Sequence, residues 1–142
     1  PKLLTSMVNR YYKTDYILQL TEWSQEVGLR YLVYGPGDYI NPHADVIFKD
    51  DKMIRPDRRL TCILYLNDWS PVPKIGSFTG GELVFPSLVN NTHRFTVYPA
   101  AGTLVIYPAS PDYVHMVNPV RSGERHCVVF SLAIERSSLV GS

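Results

Sequence analysis

His43 and Asp45 are separated by a single residue in the stretch Asn41-Pro42-His43-Ala44-Asp45. If a strand covers 43–48, this spacing puts the imidazole and the carboxylate on the same face. A second histidine from another strand would complete a set of two histidines and one carboxylate, which suits non-haem Fe(II) with open coordination positions. Taken alone, the pair also fits a structural histidine beside an exposed aspartate.

Three other histidines are candidates for the second imidazole. His93 lies in a polar run that is typical of a surface loop. His126 falls on one face of the last predicted strand and fits a structural role. His115 lies in a predicted strand over 113–117, and it remains as the second ligand by elimination.

Arg125 begins the last predicted strand, ten residues after His115. Alternation puts Arg125 on one face with Cys127, and His126 on the other. A guanidinium that points into a narrow barrel is costly unless it meets an anion, and its planar fork matches a carboxylate. We therefore expect a carboxylate ligand at Arg125, although an arginine at a strand start can also reach solvent.

The composition is that of one folded domain, which we assign to residues 1–142. The formal net charge is +1, so no basic excess indicates nucleic acid. Hydrophobic residues make up 45% and charged residues 19%, which excludes a disordered chain. Apolar runs are too short for a transmembrane helix, and no signal-peptide pattern precedes the fold. Two cysteines, Cys62 and Cys127, are too few for a disulfide scaffold, and we expect them to be reduced.

The elements that must position these side chains are mainly strands. Helical spacing of apolar residues predicts one helix over about 15–27, capped by Asp15 and ended by Gly28. Short strands are predicted at 29–34, 43–48, 59–67, 82–85, 94–98, 103–107, 113–117 and 125–135. This pattern favours a β-sandwich or jelly roll with the helix packed on one sheet, over the apolar face of the last strand.

Two long loops interrupt the strands. Residues 49–57 are highly charged, and residues 68–81 are rich in proline and glycine. Loops of this length are often functional, so both are candidates for a substrate lid. We take Arg55 and Trp69 from these loops, together with Tyr39, as candidate substrate contacts. Two solvated connections remain the alternative.

Several motifs occur together in one order along the chain. They are Tyr34-Gly35-Pro36-Gly37, His43-Ala44-Asp45, Arg59-Leu60-Thr61-Cys62-Ile63-Leu64-Tyr65-Leu66-Asn67, Gly80-Gly81-Glu82-Leu83, Gly102-Thr103-Leu104-Val105-Ile106-Tyr107-Pro108, His115-Met116-Val117-Asn118-Pro119 and Gly123-Glu124-Arg125. In this order the chain resembles the Fe(II)/2-oxoglutarate-dependent dioxygenases, and most of all their prolyl 4-hydroxylase-type branch. The resemblance runs from Tyr34 to about Glu135.

The resemblance implies a double-stranded β-helix, with a core over about 29–135 and the site in its mouth. His43, Asp45 and His115 would bind Fe(II), and Arg125 would pair with the distal carboxylate of 2-oxoglutarate. The remaining cofactor-site residues that the resemblance implies are Tyr34, Tyr65, Thr61 and Val117. Both tyrosines also fit ordinary sheet-core positions. O2 would be the second cosubstrate, and ascorbate is a further candidate.

The resemblance also implies the reaction, which is hydroxylation of a prolyl residue in a peptide or protein with release of succinate and CO2. A lysyl residue, a free amino acid or another small molecule would fit the same core. A non-catalytic jelly-roll or cupin-like binding module is the alternative from another class. We expect neither a nucleic-acid nor a membrane partner, leave the oligomeric state open, and expect an intracellular location with the secretory pathway as the alternative.

Overall fold

The computed structural model describes residues 16–20, 29–46, 48–50, 52–53, 59–88 and 93–136. These residues form thirteen strands. The strands are β1 (Tyr16–Leu20), β2 (Arg30–Tyr34), β3 (Ile40–His43), β4 (Phe48–Lys49), β5 (Lys52–Met53), β6 (Arg59–Tyr65), β7 (Thr79–Gly80), β8 (Leu83–Leu88), β9 (His93–Val97), β10 (Leu104–Pro108), β11 (His115–Val117), β12 (Val120–Ser122) and β13 (Arg125–Arg136).

Two antiparallel sheets carry the architecture. The larger one has five strands, in the order β1-β13-β6-β10, with β2 also paired to β13. The smaller one has four strands, in the order β3-β11-β8-β9. The remaining described strands form two short two-stranded sheets, β7 with β12 and β4 with β5. The prediction of a mainly β, jelly-roll-like fold is confirmed for the described residues.

The apolar core lies between the two sheets. Its fully buried members come from both, with Tyr65 and Cys127 from the larger sheet and Leu83, Phe85 and Val117 from the smaller one. A second cluster, of Leu60, Cys62 and Leu132, lies on the outer face of the larger sheet. Alternation along β6 and β13 therefore gives that sheet one face toward the core and one toward this outer cluster.

The predicted helix is wrong where the structure describes it. Tyr16–Leu20 forms β1, which pairs antiparallel with Leu132–Arg136 at the C-terminal end of β13. The run Tyr-Ile-Leu-Gln-Leu also suits a strand, and pairing with an available sheet edge outweighs a weak helical period. Asp15 and residues 21–28 lie outside the described residues.

The predicted charged loop contains a hairpin. Phe48 pairs with Met53 and Lys49 with Lys52, around Asp50 in a left-handed conformation at φ 50°. The other predicted loop, 68–81, is held by main-chain bonds between Asp68, Ser70 and Phe78. Its end, Thr79–Gly80, is β7. No helix in the described part of the chain has the length and apolarity to cross a membrane.

Candidate metal and cosubstrate site

His43 and His115 face each other across the smaller sheet. The two residues are direct partners in the antiparallel pairing of β3 with β11. Their ring centroids lie 4.3 Å apart, with His115 buried and His43 half-exposed. Strand pairing thus brings together two imidazoles that are 72 positions apart in sequence. This is the juxtaposition that the choice of His115 requires.

Each imidazole is oriented by the main-chain carbonyl two residues before it. Nδ1 of His43 lies 2.9 Å from the carbonyl oxygen of Asn41, and Nδ1 of His115 lies 3.0 Å from that of Tyr113. A proton on Nδ1 leaves the Nε2 lone pair free, which is the tautomer that a metal ligand needs. Burial also lowers the pKa of His115, which favours the neutral ring.

Asp45 supplies the third ligand atom from outside a strand. Its Oδ1 lies 3.2 Å from Nε2 of His43 and 3.5 Å from Nε2 of His115. The predicted strand over 43–48 is wrong here, because β3 ends at His43 and residues 44–46 are irregular. Asp45 therefore reaches the histidines because the chain turns out of the sheet, and the alternation argument does not apply.

Two hydroxyl groups from the larger sheet hold the other oxygen of Asp45. Thr61 donates to Oδ2 at 2.9 Å, and Tyr107 donates to it at 3.0 Å. Thr61 and Tyr107 are direct partners in the pairing of β6 with β10, so their side chains emerge side by side. The Tyr107 hydroxyl also lies 3.1 Å from Nε2 of His115. Burial and the neighbouring carboxylate raise the pKa of Tyr107, so it stays a donor.

These three residues fit a divalent metal. Their ligand atoms all lie within 4.8 Å of one another. With Oδ2 engaged, Oδ1 and the two Nε2 atoms would be the ligand atoms for such an ion. Two imidazoles and one carboxylate with open positions are the donor set typical of non-haem Fe(II).

Arg125 lines the same cavity and is only 1% exposed. Its guanidinium donates to the Tyr65 hydroxyl at 3.1 Å and to Sγ of Cys127 at 3.3 Å. The guanidinium carbon lies 4.7 Å from the ring centroid of Tyr34 and 5.0 Å from that of Tyr65. Its Nε has no hydrogen-bond partner, and no carboxylate among the described residues pairs with it. A buried cation without a counterion fits the predicted carboxylate ligand.

One cavity of about 340 Å³ connects the two groups. Apolar side chains from both sheets line part of it, including Ile63, Leu83 and Val117. The resemblance placed Tyr34, Thr61, Tyr65 and Val117 at the cofactor site. Tyr34, Thr61 and Val117 line the cavity, and Tyr65 reaches it through its bond to Arg125.

The candidate substrate contacts do not gather at this cavity. Tyr39 is exposed, and it is not among the lining residues. Trp69 packs against Tyr98, with ring centroids 4.6 Å apart, on the outside of the core. Arg55 lies outside the described residues.

Neither the remaining histidines nor the cysteines belong to the group of metal-ligand candidates found among the described residues. His126 contacts the Tyr31 hydroxyl on the outer face of β13, as alternation predicts. His93 is the first residue of β9, which corrects its placement in a loop. Cys62 and Cys127 are free and buried on opposite faces of the larger sheet, as expected for reduced thiols.

Two polar residues of the cavity escaped the sequence analysis. The sequence places Tyr107 only within a strand, because its contact with Asp45 depends on the register of β10 with β6. Arg59 also lines the cavity. Alternation along the predicted strand 59–67 puts Arg59 on the same face as Thr61 and Tyr65, which is the signal that could have found it.

Comparison with solved structures finds the same fold in 2-oxoglutarate oxygenases. An oxidoreductase of the 2OG-Fe(II) oxygenase family from Burkholderia pseudomallei superposes with a TM-score of 0.63 at 19% identity, over 91% of this chain and 51% of that one. A prolyl-4-hydroxylase from Pseudomonas putida gives 0.58 at 24%, over 95% and 62%. The viral collagen prolyl hydroxylase of Paramecium bursaria Chlorella virus 1, in its 2OG complex, gives 0.58 at 23%, over 96% and 71%.

The chain spans about half of the first of these proteins and under two thirds of the second. No curated protein matches the sequence. The family model of the 2OG-Fe(II) oxygenase superfamily matches residues 29–132, which include the histidine and aspartate ligands and Arg125. This chain therefore belongs to the 2OG-Fe(II) oxygenase superfamily.

Proposed function

We propose that this oxygenase hydroxylates a prolyl residue in a peptide or protein, using Fe(II), 2-oxoglutarate and O2. One oxygen atom of O2 enters the C–H bond of the prolyl ring, and the other enters the carboxylate of succinate as CO2 leaves. The observation that carries the proposal is one cavity lined both by three convergent ligand atoms and by a buried arginine without a counterion among the described residues.

Each residue of the site has a defined part in this proposal. Nε2 of His43, Nε2 of His115 and Oδ1 of Asp45 would hold the iron, which supplies the activation of O2 when it is bound. Thr61 and Tyr107 keep Oδ2 of Asp45 engaged, so that the carboxylate binds through one oxygen and leaves positions open.

The cosubstrate is oriented by polar groups on the Arg125 side of the cavity. Arg125 and the Tyr65 hydroxyl offer donors to the distal carboxylate of 2-oxoglutarate. Burial raises the pKa of Tyr65 against the opposing effect of Arg125, so its hydroxyl remains protonated and can donate. Ile63, Leu83 and Val117 exclude water from the space between the two ends.

The prolyl substrate is supported by the fold neighbours, two of which are prolyl hydroxylases at 24% and 23% identity. The same cavity chemistry would serve a lysyl residue or a small molecule, and a binding module would need neither open positions nor the arginine. Ascorbate, which would return the iron to Fe(II), is a further candidate cofactor of this reaction.

Anaerobic titration of the Fe(II)-loaded protein with 2-oxoglutarate tests the chemistry. We expect the weak visible charge-transfer band of a chelated 2-oxo acid in the wild type and in His126→Ala, and its loss in His115→Ala. His126 is the matched control, because it lies on the outer face of β13. Iron binding without the band would contradict an oxygenase and favour a binding module.

A peptide screen tests the substrate. Incubation with proline-containing peptides under O2 is expected to release succinate above the rate without peptide and to add about 16 mass units to the peptide, the mass of one oxygen atom. Succinate release that no prolyl compound stimulates would contradict prolyl hydroxylation and leave the oxygenase chemistry in place.

A further inference from the structure

Arg59 is a second buried cation in the cavity. It is 8% exposed and forms one side-chain hydrogen bond, from Nη2 to the Ser131 hydroxyl at 2.8 Å. Its Nε and Nη1 atoms are buried and have no hydrogen-bond partner. The charge of Asp45 acts on it, but no carboxylate of the described chain lies within ion-pair distance of it. Buried guanidinium N–H groups left unpaired are destabilising, so the site is built for a ligand that accepts hydrogen bonds.

Arg59 lies on the side of the metal ligands away from Arg125. The inward-facing residues of β6 run in the order Tyr65, Ile63, Thr61 and Arg59. Tyr65 contacts Arg125 and Thr61 contacts Asp45, so Arg59 lies beyond the metal ligands. Tyr65 and Arg59 are six positions apart, which is about 20 Å of strand. The five carbons of 2-oxoglutarate span less than about 7 Å, so a cosubstrate held by Arg125 and the metal leaves Arg59 free.

The charges of the cavity favour an anion at this end. Three arginines line it, Arg30, Arg59 and Arg125, against the single carboxylate of Asp45 among the described lining residues. Fe(II) and the 2-oxoglutarate dianion cancel each other formally. The loaded cavity therefore keeps an excess of positive charge, and this charge lies on Arg59 and on Arg30 at the exposed rim.

We propose that Arg59 binds a carboxylate of the primary substrate, next to the prolyl ring that is hydroxylated. The inference rests on the proposed function and narrows its substrate class. The carboxylate has two sources, either the α-carboxylate of a C-terminal or free proline, or the acidic side chain of a residue beside an internal proline. Either one can accept a charge-assisted hydrogen bond from an unpaired N–H group of the guanidinium.

The test measures binding in the anaerobic complex with Mn(II) and 2-oxoglutarate, where no turnover occurs. The probes are glycyl-proline, its C-terminal amide, and blocked prolyl-aspartate and prolyl-asparagine amides, titrated by calorimetry. We expect one acid to bind about ten- to hundredfold more tightly than its neutral partner, as for hydrogen bonds to charged groups. The first pair reports an α-carboxylate, and the second reports a side chain.

Variants assign the preference to Arg59. Arg59→Met is expected to remove the preference for the acid and to leave binding of the amide unchanged, whereas Arg59→Lys retains part of it. Arg121→Met is the matched control, because Arg121 is exposed and outside the cavity. If Arg59→Met does not fold, the test uses the wild type and Arg59→Lys alone. The inference then requires that the wild type prefers the acid and that Arg59→Lys reduces this preference.

Three outcomes would overturn the inference. Equal binding of acids and neutral partners in the wild type, with succinate released from both when the Fe(II) protein is supplied with O2, would leave prolyl hydroxylation standing and refute the carboxylate contact. A preference that survives Arg59→Met would assign it to another residue. If no prolyl compound binds or is turned over, the proposed substrate itself is wrong, and the inference falls with it.

Discussion

Arg125→Met is expected to weaken 2-oxoglutarate binding without destabilising the free protein. The guanidinium is 1% exposed and lacks a counterion in the described chain. Burying such an ion costs several kcal/mol, and the ring contacts with Tyr34 and Tyr65 return about 0.5–2 kcal/mol each. Methionine has a similar length and needs no partner. The free energy of unfolding of the ligand-free variant should therefore equal or exceed that of the wild type.

The binding loss follows from the hydrogen bonds that the carboxylate would lose. Two bonds to a charged group, at about 1.5 kcal/mol each, amount to about 3 kcal/mol, which corresponds to a Kd about 100-fold higher. At a 2-oxoglutarate concentration of about 100 wild-type Kd, binding stabilises the wild type by about 2.7 kcal/mol and the variant by about 0.4 kcal/mol. For a chain of this size, these values are Tm shifts of about 8–10 °C and about 1–2 °C.

Calorimetric melting of the Mn(II)-loaded proteins measures the stability without 2-oxoglutarate and the Tm shift that 2-oxoglutarate causes. Arg94→Met is the control, because Arg94 is exposed on β9; it should retain the full ligand shift. A variant that is several kcal/mol less stable without ligand, yet still shifts by about 8 °C with it, would refute both the uncompensated charge and its role in binding.

Three further outcomes follow from contacts described above. Thr61→Val and Tyr107→Phe each remove a donor to Asp45 and should weaken Mn(II) binding about tenfold or more, measured by the free Mn(II) signal in electron paramagnetic resonance; unchanged affinity in the double variant would contradict their role. Gly123→Ala should destabilise the protein by more than about 2 kcal/mol in denaturant, because its φ is 73° and a Cβ would lie 2.2 Å from a backbone carbonyl oxygen. Gly102→Ala, at φ 85° with no atom nearby, should cost about 1 kcal/mol. Neither cysteine should react with iodoacetamide at pH 8 in the folded protein, since both are buried and burial raises their thiol pKa, to about 12 for Cys62; rapid labelling without denaturant would contradict this.

The sequence predicts which residue types form the site, but it predicts only part of the contacts between them. Alternation along the last strand correctly separated Arg125 from His126, because strand period is a local property. Asp45 lies beside both histidines, but strand alternation is not the reason, since the chain leaves the sheet after His43. Tyr107 was not found, because its contact with Asp45 depends on the register between β6 and β10, which no local pattern encodes.

The fold was predictable at the level of class and less so at the level of pairing. Eight short apolar runs separated by turn residues indicated a β architecture, and a strand lies at or overlaps each of them. The sequence of β1 predicts a helix because five residues, most of them apolar, fit the helical period and the strand period equally well. The strand forms because the C-terminal part of β13 offers an edge with which it can pair. β7 and β12 were not predicted, because strands of two or three residues carry too little pattern.

The position of β13 in the larger sheet decides when this protein can fold during its synthesis. β13 lies between β2 and β6, and every other strand of both sheets precedes it in the chain. While the ribosome is still making residues 1–124, β2 and β6 have no partner between them, and the wall that carries Arg125 does not exist. The sheet therefore closes only after translation of Arg125–Arg136, and a nascent chain stalled before that point would expose its apolar faces to chaperones.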